Sequence, residues 1–178
     1  MVKLIISKKI LFWYDNNKRI LPWRKNTSKE QKLYFTFVSE FMLQQTQVST
    51  VIPYFKRFVQ KIPNFKKLSK ANDQTLMKLW EGLGYYSRAR NLKKSAIMIN
   101  GKFGGILPSN FEDLKSLPGV GDYTSTAIMA IAFNQKFIPL DGNVERILKR
   151  VLFLRSDGDI SKENMQISKN FFGLSERA

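Results

Sequence analysis

The segment Leu114-Lys-Ser-Leu-Pro-Gly-Val-Gly-Asp-Tyr-Thr124 is the most specific stretch of the chain. It predicts two helices, 111–117 and 123–133, joined by a tight turn at 118–121. Glycine permits positive φ and lets a ligand approach the backbone. The second helix then presents unpaired N–H groups and the positive end of its dipole, which bind anions such as a DNA phosphate. An ordinary helical hairpin with a glycine turn is the alternative interpretation.

The charge of the chain favours DNA. Its 178 residues include 30 Lys and Arg against 14 Asp and Glu, a formal net charge of +16. This excess argues for a polyanionic partner, either nucleic acid or an acidic membrane surface, although a lysine-rich proteome also produces it. Cysteine and histidine are absent. Disulfides and thiolate metal sites are therefore excluded, and acid–base chemistry falls to Asp, Glu, Lys or Tyr.

Hydrophobic residues recur at helical spacing through most of the chain. No alternating pattern is long enough for a convincing strand, so we predict an all-α protein. No apolar run reaches the ~20 residues that span a bilayer, and the N-terminus does not resemble a signal peptide. We therefore expect a cytoplasmic protein without membrane contact. Further helices are predicted at about 4–14, 32–52, 53–59 with Pro53 in its first turn, 72–79, 87–100 and 143–154.

One carboxylate, Asp141, stands at a loop-to-helix junction in Pro139-Leu-Asp-Gly-Asn-Val144. Asp before a helix is a favoured N-cap, worth about 1 kcal/mol, and Asp-Gly is common in turns. The other interpretation is a catalytic carboxylate that stabilises positive charge on a sugar, as in sugar hydrolases. Taken alone, the local sequence favours the cap.

A second carboxylate, Glu40, lies on the predicted helix 32–52. Phe37 stands three residues before it and Leu43 three residues after it. A carboxylic acid in apolar surroundings has a raised pKa and donates a proton near neutral pH. A solvated helix surface is the usual environment of Glu, and periodicity alone does not decide between the two.

Six motifs in consistent order resemble those of the adenine DNA glycosylases (the MutY family). Segment 114–124 likewise resembles the helix-hairpin-helix of base-excision glycosylases, and Asp141 follows Gly121 at the distance of that superfamily's catalytic aspartate. The resemblance runs from about Ile10 to Leu154 and implies two helical lobes with a DNA groove between them. The motifs are Leu21-Pro-Trp-Arg24, Leu43-Gln-Gln-Thr-Gln47 preceded by Ser39-Glu40, Val51-Ile-Pro-Tyr-Phe55, Trp80-Glu-Gly-Leu-Gly-Tyr-Tyr86, Arg88-Ala-Arg-Asn-Leu92 and Leu140-Asp-Gly-Asn-Val144.

The resemblance implies a monofunctional hydrolase that removes adenine mispaired with 8-oxoguanine or guanine in double-stranded DNA. By similarity, Glu40 protonates adenine and later helps to activate water, while Asp141 stabilises the oxocarbenium-like sugar. Tyr123 and Asn143 resemble the polar groups that orient this pair. The walls of the pocket for the extruded adenine would be Trp23, Arg24 and Leu43.

The resemblance also implies which residues contact DNA. Side chains inserted around the oxidised guanine would be Gln45, Thr46, Leu83 and Tyr85. For Tyr85 and its neighbour Tyr86, core packing is the alternative. The strand would be held by Arg88, Leu117, Gly119, Val120, Gly121 and Thr124.

Two alternatives to this activity stay open. Endonuclease-III-type enzymes also cleave the DNA backbone, through a lysine two residues after the last hairpin glycine. That position holds Tyr123 here, and Lys115 lies on the other side of the turn. The second alternative is an inactive protein of this fold, either a DNA-binding helix-hairpin-helix module, which would need neither Glu40 nor Asp141, or a degenerate remnant that keeps the fold and charge without turnover.

The chain departs from the family pattern in two places. Lys29-Glu-Gln-Lys32 fills a stretch that usually holds a proline. The family also carries a 4Fe-4S cluster on four cysteines, and this chain has no cysteine. We therefore expect no metal site, a chain truncated before the iron–sulfur region, and marginal stability. The expected organisation is a monomer with one lobe at 25–136 and a partial second lobe at 1–24 and 137–178.

Overall fold

The computed structural model describes residues 2–25, 27–151 and 153, with side chains from Lys8 onward. Across these residues the chain forms helices and no β-strand, which confirms the all-α prediction. The C-terminal part of the predicted second lobe, 154–178, lies outside the described residues. Where the structure describes the chain, none of its helices has the length and apolar character to cross a membrane.

The described residues form a succession of α-helices, with a 3₁₀ turn at Pro22–Arg24 between the first two. The longest lie in the first half of the chain or its middle, and the two hairpin helices are short. Their bounds are α1 Val2–Asn17, α2 Lys29–Leu43, α3 Val48–Lys61, α4 Phe65–Ser69, α5 Asp73–Trp80, α6 Ser87–Lys102, α7 Phe111–Lys115, α8 Asp122–Ile131 and α9 Gly142–Val151.

Polar caps start several of these helices. The side chain of Asn72 accepts the backbone N–H of Gln74 at 2.8 Å and begins α5, at the residue where the helix 72–79 was predicted to start. Ser28 caps α2 in the same way through the N–H of Gln31. Such caps satisfy N–H groups that have no partner inside the helix, so the short polar residues set where each helix begins.

The single helix predicted over 32–52 is wrong, because the chain turns at Gln44–Gln47 between α2 and α3. Gln45 has a φ of +54°, in the left-handed region that ends helices. The apolar spacing continues across the turn because both helices face the same core, which hides the break in the sequence. Pro53 consequently falls inside α3 and not in the first turn of a new helix.

α2 is the central helix of the fold. It packs against α3, α6 and α8, and almost every residue from Leu33 to Met42 is buried. A helix enclosed on several sides carries apolar residues around its whole circumference. Glu40 shares this enclosed segment, and the fold therefore places a carboxyl group in the interior.

Candidate active site

A cleft of about 720 Å³ lies beside the C-terminal end of α2, the first turn of α8 and the segment before α9. Glu40, Asp141 and Tyr123 all line it. These residues come from three separate elements, so the fold brings together the main carboxylates that the sequence singled out. The cleft is also lined by the predicted wall residues Trp23, Arg24 and Leu43 and by Gln45 and Tyr85.

Glu40 is buried at the wall of this cleft, with only 8% of its surface exposed. Burial raises the pKa of its carboxyl group to about 7, against the opposing effect of the positive charge on Arg24. Loss of hydration disfavours the ionised form of a carboxyl group. Glu40 can therefore hold a proton near neutral pH, as a general acid requires.

Arg24 is held from the side by α1. Its Nη1 donates a hydrogen bond to the hydroxyl of Tyr14 at 3.1 Å. The adjacent Trp23 is buried and meets the ring of Phe55 edge-on, with 5.3 Å between ring centroids. Sequence analysis missed Tyr14, because helical spacing on α1 gave no sign of which residue it would meet.

Asp141 is an N-cap and also lies in the cleft. Its Oδ1 accepts the backbone N–H of Val144 at 2.7 Å, which is the geometry of an N-cap for α9. It also lines the cleft that contains Glu40. The cap holds the carboxylate at the N-terminus of α9 and beside the cleft. A role as N-cap and a role in catalysis are therefore compatible.

Tyr123 lies close to both carboxylates. Its own partial burial raises the pKa of the phenol, and the negative charges of Glu40 and Asp141 raise it further. The phenol therefore stays protonated and can donate a hydrogen bond inside the cleft. Asn143 is placed differently, because it is exposed on α9 and its Oδ1 accepts Nη2 of Arg146 at 3.2 Å.

The predicted hairpin is formed by α7, the turn 116–121 and α8. Gly121 is the N-cap of α8 and contributes no side-chain cap, so the first amides of α8 face outward without one. Gly119 has a φ of +80°, and a Cβ there would lie 2.8 Å from Cβ of Asn91. Gly121 has an ordinary φ of −94°, and a Cβ there would meet nothing within 4 Å. Gly119 thus serves close packing, whereas Gly121 keeps the helix start open.

Three side chains at the turn of the hairpin point inward. Leu117, Val120 and Thr124 are buried, which leaves the backbone as the surface of the turn. At the start of α8, Lys115 and Asp122 form an ion pair of 2.6 Å. This pair occupies the only lysine of the hairpin segment 114–124.

Gln44 connects the hairpin to α2. Its Nε2 donates to the carbonyl oxygen of Gly119 at 3.3 Å and to the hydroxyl of Thr124 at 3.4 Å. This glutamine belongs to the motif Leu43-Gln-Gln-Thr-Gln47, and the sequence alone predicts no role for it. An amide that bonds to backbone across 75 positions has no local signal in the sequence.

Two loops border the cleft, 44–47 after α2 and 81–86 before α6. They expose Gln45 and Tyr85. Leu83 is buried, so its predicted insertion into DNA requires loop 81–86 to move. Arg88 is also largely buried and lines the cleft, and its guanidinium donates to backbone carbonyls, whereas the family resemblance implied a contact with the DNA strand.

The residues of this chain do not fit an iron–sulfur cluster. Such clusters are held by cysteine thiolates, with histidine as an occasional replacement, and neither residue occurs in the sequence. The described part of the chain also contains no group of three acidic side chains that could hold another metal ion.

The sequence is similar to curated adenine DNA glycosylases. It is 45% identical over 151 residues to that of Buchnera aphidicola subsp. Acyrthosiphon pisum, covering 84% of this chain and 42% of the relative. It is 47% identical over 155 residues to that of Rattus norvegicus, covering 84% of this chain and 30% of the relative. The chain thus spans less than half the length of these relatives.

Solved structures share the fold at lower sequence identity. A thermostable thymine-DNA glycosylase superposes with a TM-score of 0.79 at 24% identity, covering 98% of this chain and 83% of that one. A trapped endonuclease III–DNA covalent intermediate superposes with a TM-score of 0.78 at 22% identity, covering 99% and 81%.

A family pattern matches most of the chain. It is described as HhH-GPD superfamily base excision DNA repair protein, and it matches residues 38–171. The match contains Glu40, the hairpin and Asp141, which are the features that build the cleft. The chain belongs to the HhH-GPD superfamily of base excision DNA repair proteins.

Proposed function

We propose that this cleft hydrolyses the N-glycosidic bond of adenine mispaired with 8-oxoguanine or guanine in double-stranded DNA. One observation carries the proposal: a buried acid, Glu40, shares a cleft with a second carboxylate, Asp141, next to a hairpin whose backbone suits a phosphate. The adenine DNA glycosylases among the relatives support adenine as the base.

The first step is proton transfer from Glu40 to a ring nitrogen of the extruded adenine. Adenine is a poor leaving group until its ring is protonated, and a carboxyl group with a pKa of about 7 is a competent donor at neutral pH. Trp23, Arg24 and Leu43 form the walls against which the base would lie. The ionised Glu40 can then accept a proton from the attacking water.

The second step is cleavage of the bond to the sugar. The C1′–N bond breaks with its electron pair leaving on the base, and positive charge develops on the sugar ring. The carboxylate of Asp141 stabilises that charge, as carboxylates do in glycoside hydrolysis. Tyr123 stands beside both carboxylates and can orient them or the water through its hydroxyl. The exposed Asn143 is a weaker candidate for this orienting role.

The DNA strand is held by backbone and by loops. The uncapped amides of Gly121 and the first turn of α8 bind a phosphate, which positions the strand without reading its sequence. Gln45 and Tyr85 line the cleft, Thr46 follows Gln45 in the same loop, and all three are proposed to enter the duplex, with Leu83 joining them after movement of its loop. In this proposal the protein acts as a monomer in the bacterial cytoplasm.

The proposal includes hydrolysis without strand cleavage. The lyase position of endonuclease-III-type enzymes holds Tyr123, and the nearby Lys115 is paired with Asp122. A protonated lysine in an ion pair is not a nucleophile. Borohydride should therefore trap no covalent protein–DNA adduct under conditions that trap a lyase.

The test is single-turnover cleavage of a duplex with A opposite 8-oxoguanine, followed by alkali to break the strand at the abasic site. Product is expected from the wild type and not from Glu40→Gln or Asp141→Asn. Glu30→Gln, an exposed position on the same helix α2, is the matched control and should stay active. DNA binding without product in every variant would indicate a binding module, and loss of both would indicate a remnant.

A further inference from the structure

Arg88 is a buried cation in an unfavourable position. It is 6% exposed and is the second residue of α6, where the positive end of the helix dipole disfavours a positive charge. No carboxylate pairs with it in the described part of the chain. Burial lowers the pKa of the guanidinium, because the charged group loses hydration at this site. A buried charge needs compensating partners.

Backbone carbonyls supply partners for the two terminal nitrogens, whereas the buried Nε has none among the described residues. Nη1 of Arg88 donates to the carbonyl oxygen of Met42 at 2.8 Å and to that of Gln44. Nη2 donates to the carbonyl oxygens of Leu83 and Gly84 at 3.1 and 3.2 Å. Nη1 therefore binds the free carbonyls at the C-terminal end of α2, and Nη2 binds loop 81–86. The planar fork of arginine reaches both at once, which a lysine amine does not.

Each of these loops contains a residue in a strained conformation. Gln45 has a φ of +54° and Tyr85 has a φ of +48°, and neither is glycine. The carbonyls that Arg88 binds, those of Gln44 and Gly84, belong to the residues directly before them. A left-handed non-glycine residue persists only where its surroundings fix it. Arg88 fixes the peptide plane ahead of both.

We propose that Arg88 is a positioning residue that locks the two cleft loops, 44–47 and 81–86, to each other. Through this lock the exposed side chains of Gln45 and Tyr85 keep a fixed separation across the mouth of the cleft. The stacked position of the Arg88 guanidinium, 5.4 Å from the ring centroid of Tyr85 and 5.6 Å from that of Trp80, adds to the constraint.

A consequence for specificity rests on the proposed function. If Gln45 and Tyr85 meet the base opposite adenine as one rigid unit, their fixed separation discriminates 8-oxoguanine from guanine. Loosening the lock should then reduce discrimination more than it reduces hydrolysis. The chemistry itself depends on the protonation of Glu40, which is governed by burial and by the charge of Arg24 and not by the charge of Arg88.

The direct test is amide hydrogen exchange in the full chain without DNA. Arg88→Lys keeps the charge and removes the fork, and it should speed exchange in both loops at least tenfold while the second half of α6 stays protected. Lys94→Met, an exposed position on the same helix, is the control and should leave both loops unchanged. Faster exchange in one loop alone, or in neither, overturns the proposal.

A second variant tests the coupling with Arg88 in place. Gly84 has a φ of +72° and open space around it, so Gly84→Ala strains loop 81–86 without a clash. Exchange at Gln45 and Thr46 in the other loop should then rise at least threefold. A change confined to 81–86 contradicts the lock.

A kinetic experiment tests the specificity role by comparing single-turnover rates for A opposite 8-oxoguanine and A opposite guanine. Arg88→Lys should lower the ratio of these rates at least fivefold, with an unchanged midpoint in the pH–rate profile. A merely structural loss lowers both rates by the same factor and overturns the specificity role. A wild type without product refutes the proposed function, and the exchange experiments still decide the lock.

Discussion

The side-chain amide of Gln44 donates to the carbonyl oxygen of Gly119 at 3.3 Å. This bond joins the end of the helix that carries Glu40 to the hairpin that is proposed to hold the DNA strand. The same amide lies 3.4 Å from the hydroxyl of Thr124 in α8. Together with the packing of α2 against α8, this glutamine therefore fixes the hairpin relative to the buried acid.

Gln44→Leu removes both hydrogen bonds at similar side-chain size. The net contribution of such a bond is about 1 kcal/mol, so we expect DNA affinity to fall roughly fivefold because the hairpin is less well placed. Fluorescence anisotropy in a Glu40→Gln background measures binding without turnover. Gln60→Leu on α3 is the control. Equal losses in the two variants would contradict a specific role for Gln44.

The rate of adenine release should fall on the alkaline side with a midpoint near the pKa of Glu40, about 7. Only the protonated carboxyl group donates, so the rate drops about tenfold per pH unit well above the midpoint. Because Arg24 lowers the pKa of Glu40, Arg24→Gln should move this limb to higher pH. Single-turnover rates between pH 5 and 9 measure it, with the exposed Lys25→Gln as control. A limb that moves to lower pH contradicts the assignment.

Glu40→Gln should make the protein more stable at alkaline pH. The folded state holds the Glu40 proton up to about pH 7 and the unfolded chain releases it near the ordinary value of 4.5, so wild-type stability falls between these values as pH rises. The full loss is about 3 kcal/mol and is complete above pH 7. Neutral glutamine avoids it.

Thermal or urea unfolding of both proteins at pH 5 and pH 8 tests this pH dependence. The gain in the free energy of unfolding from Glu40→Gln should be roughly 2 kcal/mol larger at pH 8 than at pH 5. Glu30→Gln is the exposed control on the same helix and should give no such difference. A gain that is the same at both pH values would show that the carboxyl group is not buried as described.

The two hairpin glycines should respond differently to alanine. Gly119→Ala places a Cβ 2.8 Å from Asn91 at a left-handed φ, so we expect a loss of about 1–3 kcal/mol in stability. Gly121→Ala meets no neighbour and should melt like the wild type, yet bind DNA several-fold more weakly because the new methyl group stands at the proposed phosphate contact. Melting temperature and anisotropy on each variant separate the effects. Unchanged affinity in a folded Gly121→Ala would remove the hairpin from the proposed interface.

Local patterns in the sequence predicted much of the fold. Helical spacing predicted an all-α chain, and Asn72 marked the start of α5. The glycines of 114–124 predicted the hairpin. The break at Gln44–Gln47 was not predictable in this way, because α2 and α3 bury their apolar faces against one core. In addition, Gln45 has a left-handed backbone, and glutamine is not a residue type that predicts this conformation.

The site was predictable where a motif resembled a family and unpredictable where it depends on tertiary contacts. Glu40 and Asp141 could be singled out before their shared cleft was known. The contacts of Tyr14 with Arg24 and of Arg88 with two loops link positions that are distant in sequence or hidden by burial. A basic residue in a DNA-binding chain suggests phosphate, and only the packing shows that Arg88 faces inward.

The N-cap made by Asp141 also constrains how an inactive form should be designed. Asp141→Ala would remove both the charge that is proposed to stabilise the sugar and the hydrogen bond that caps α9, so loss of activity in this variant would not distinguish the two defects. Asparagine keeps an oxygen acceptor for the amide of Val144 and discards only the charge. A crystallographer seeking a complex trapped before bond cleavage should choose the amide at this position.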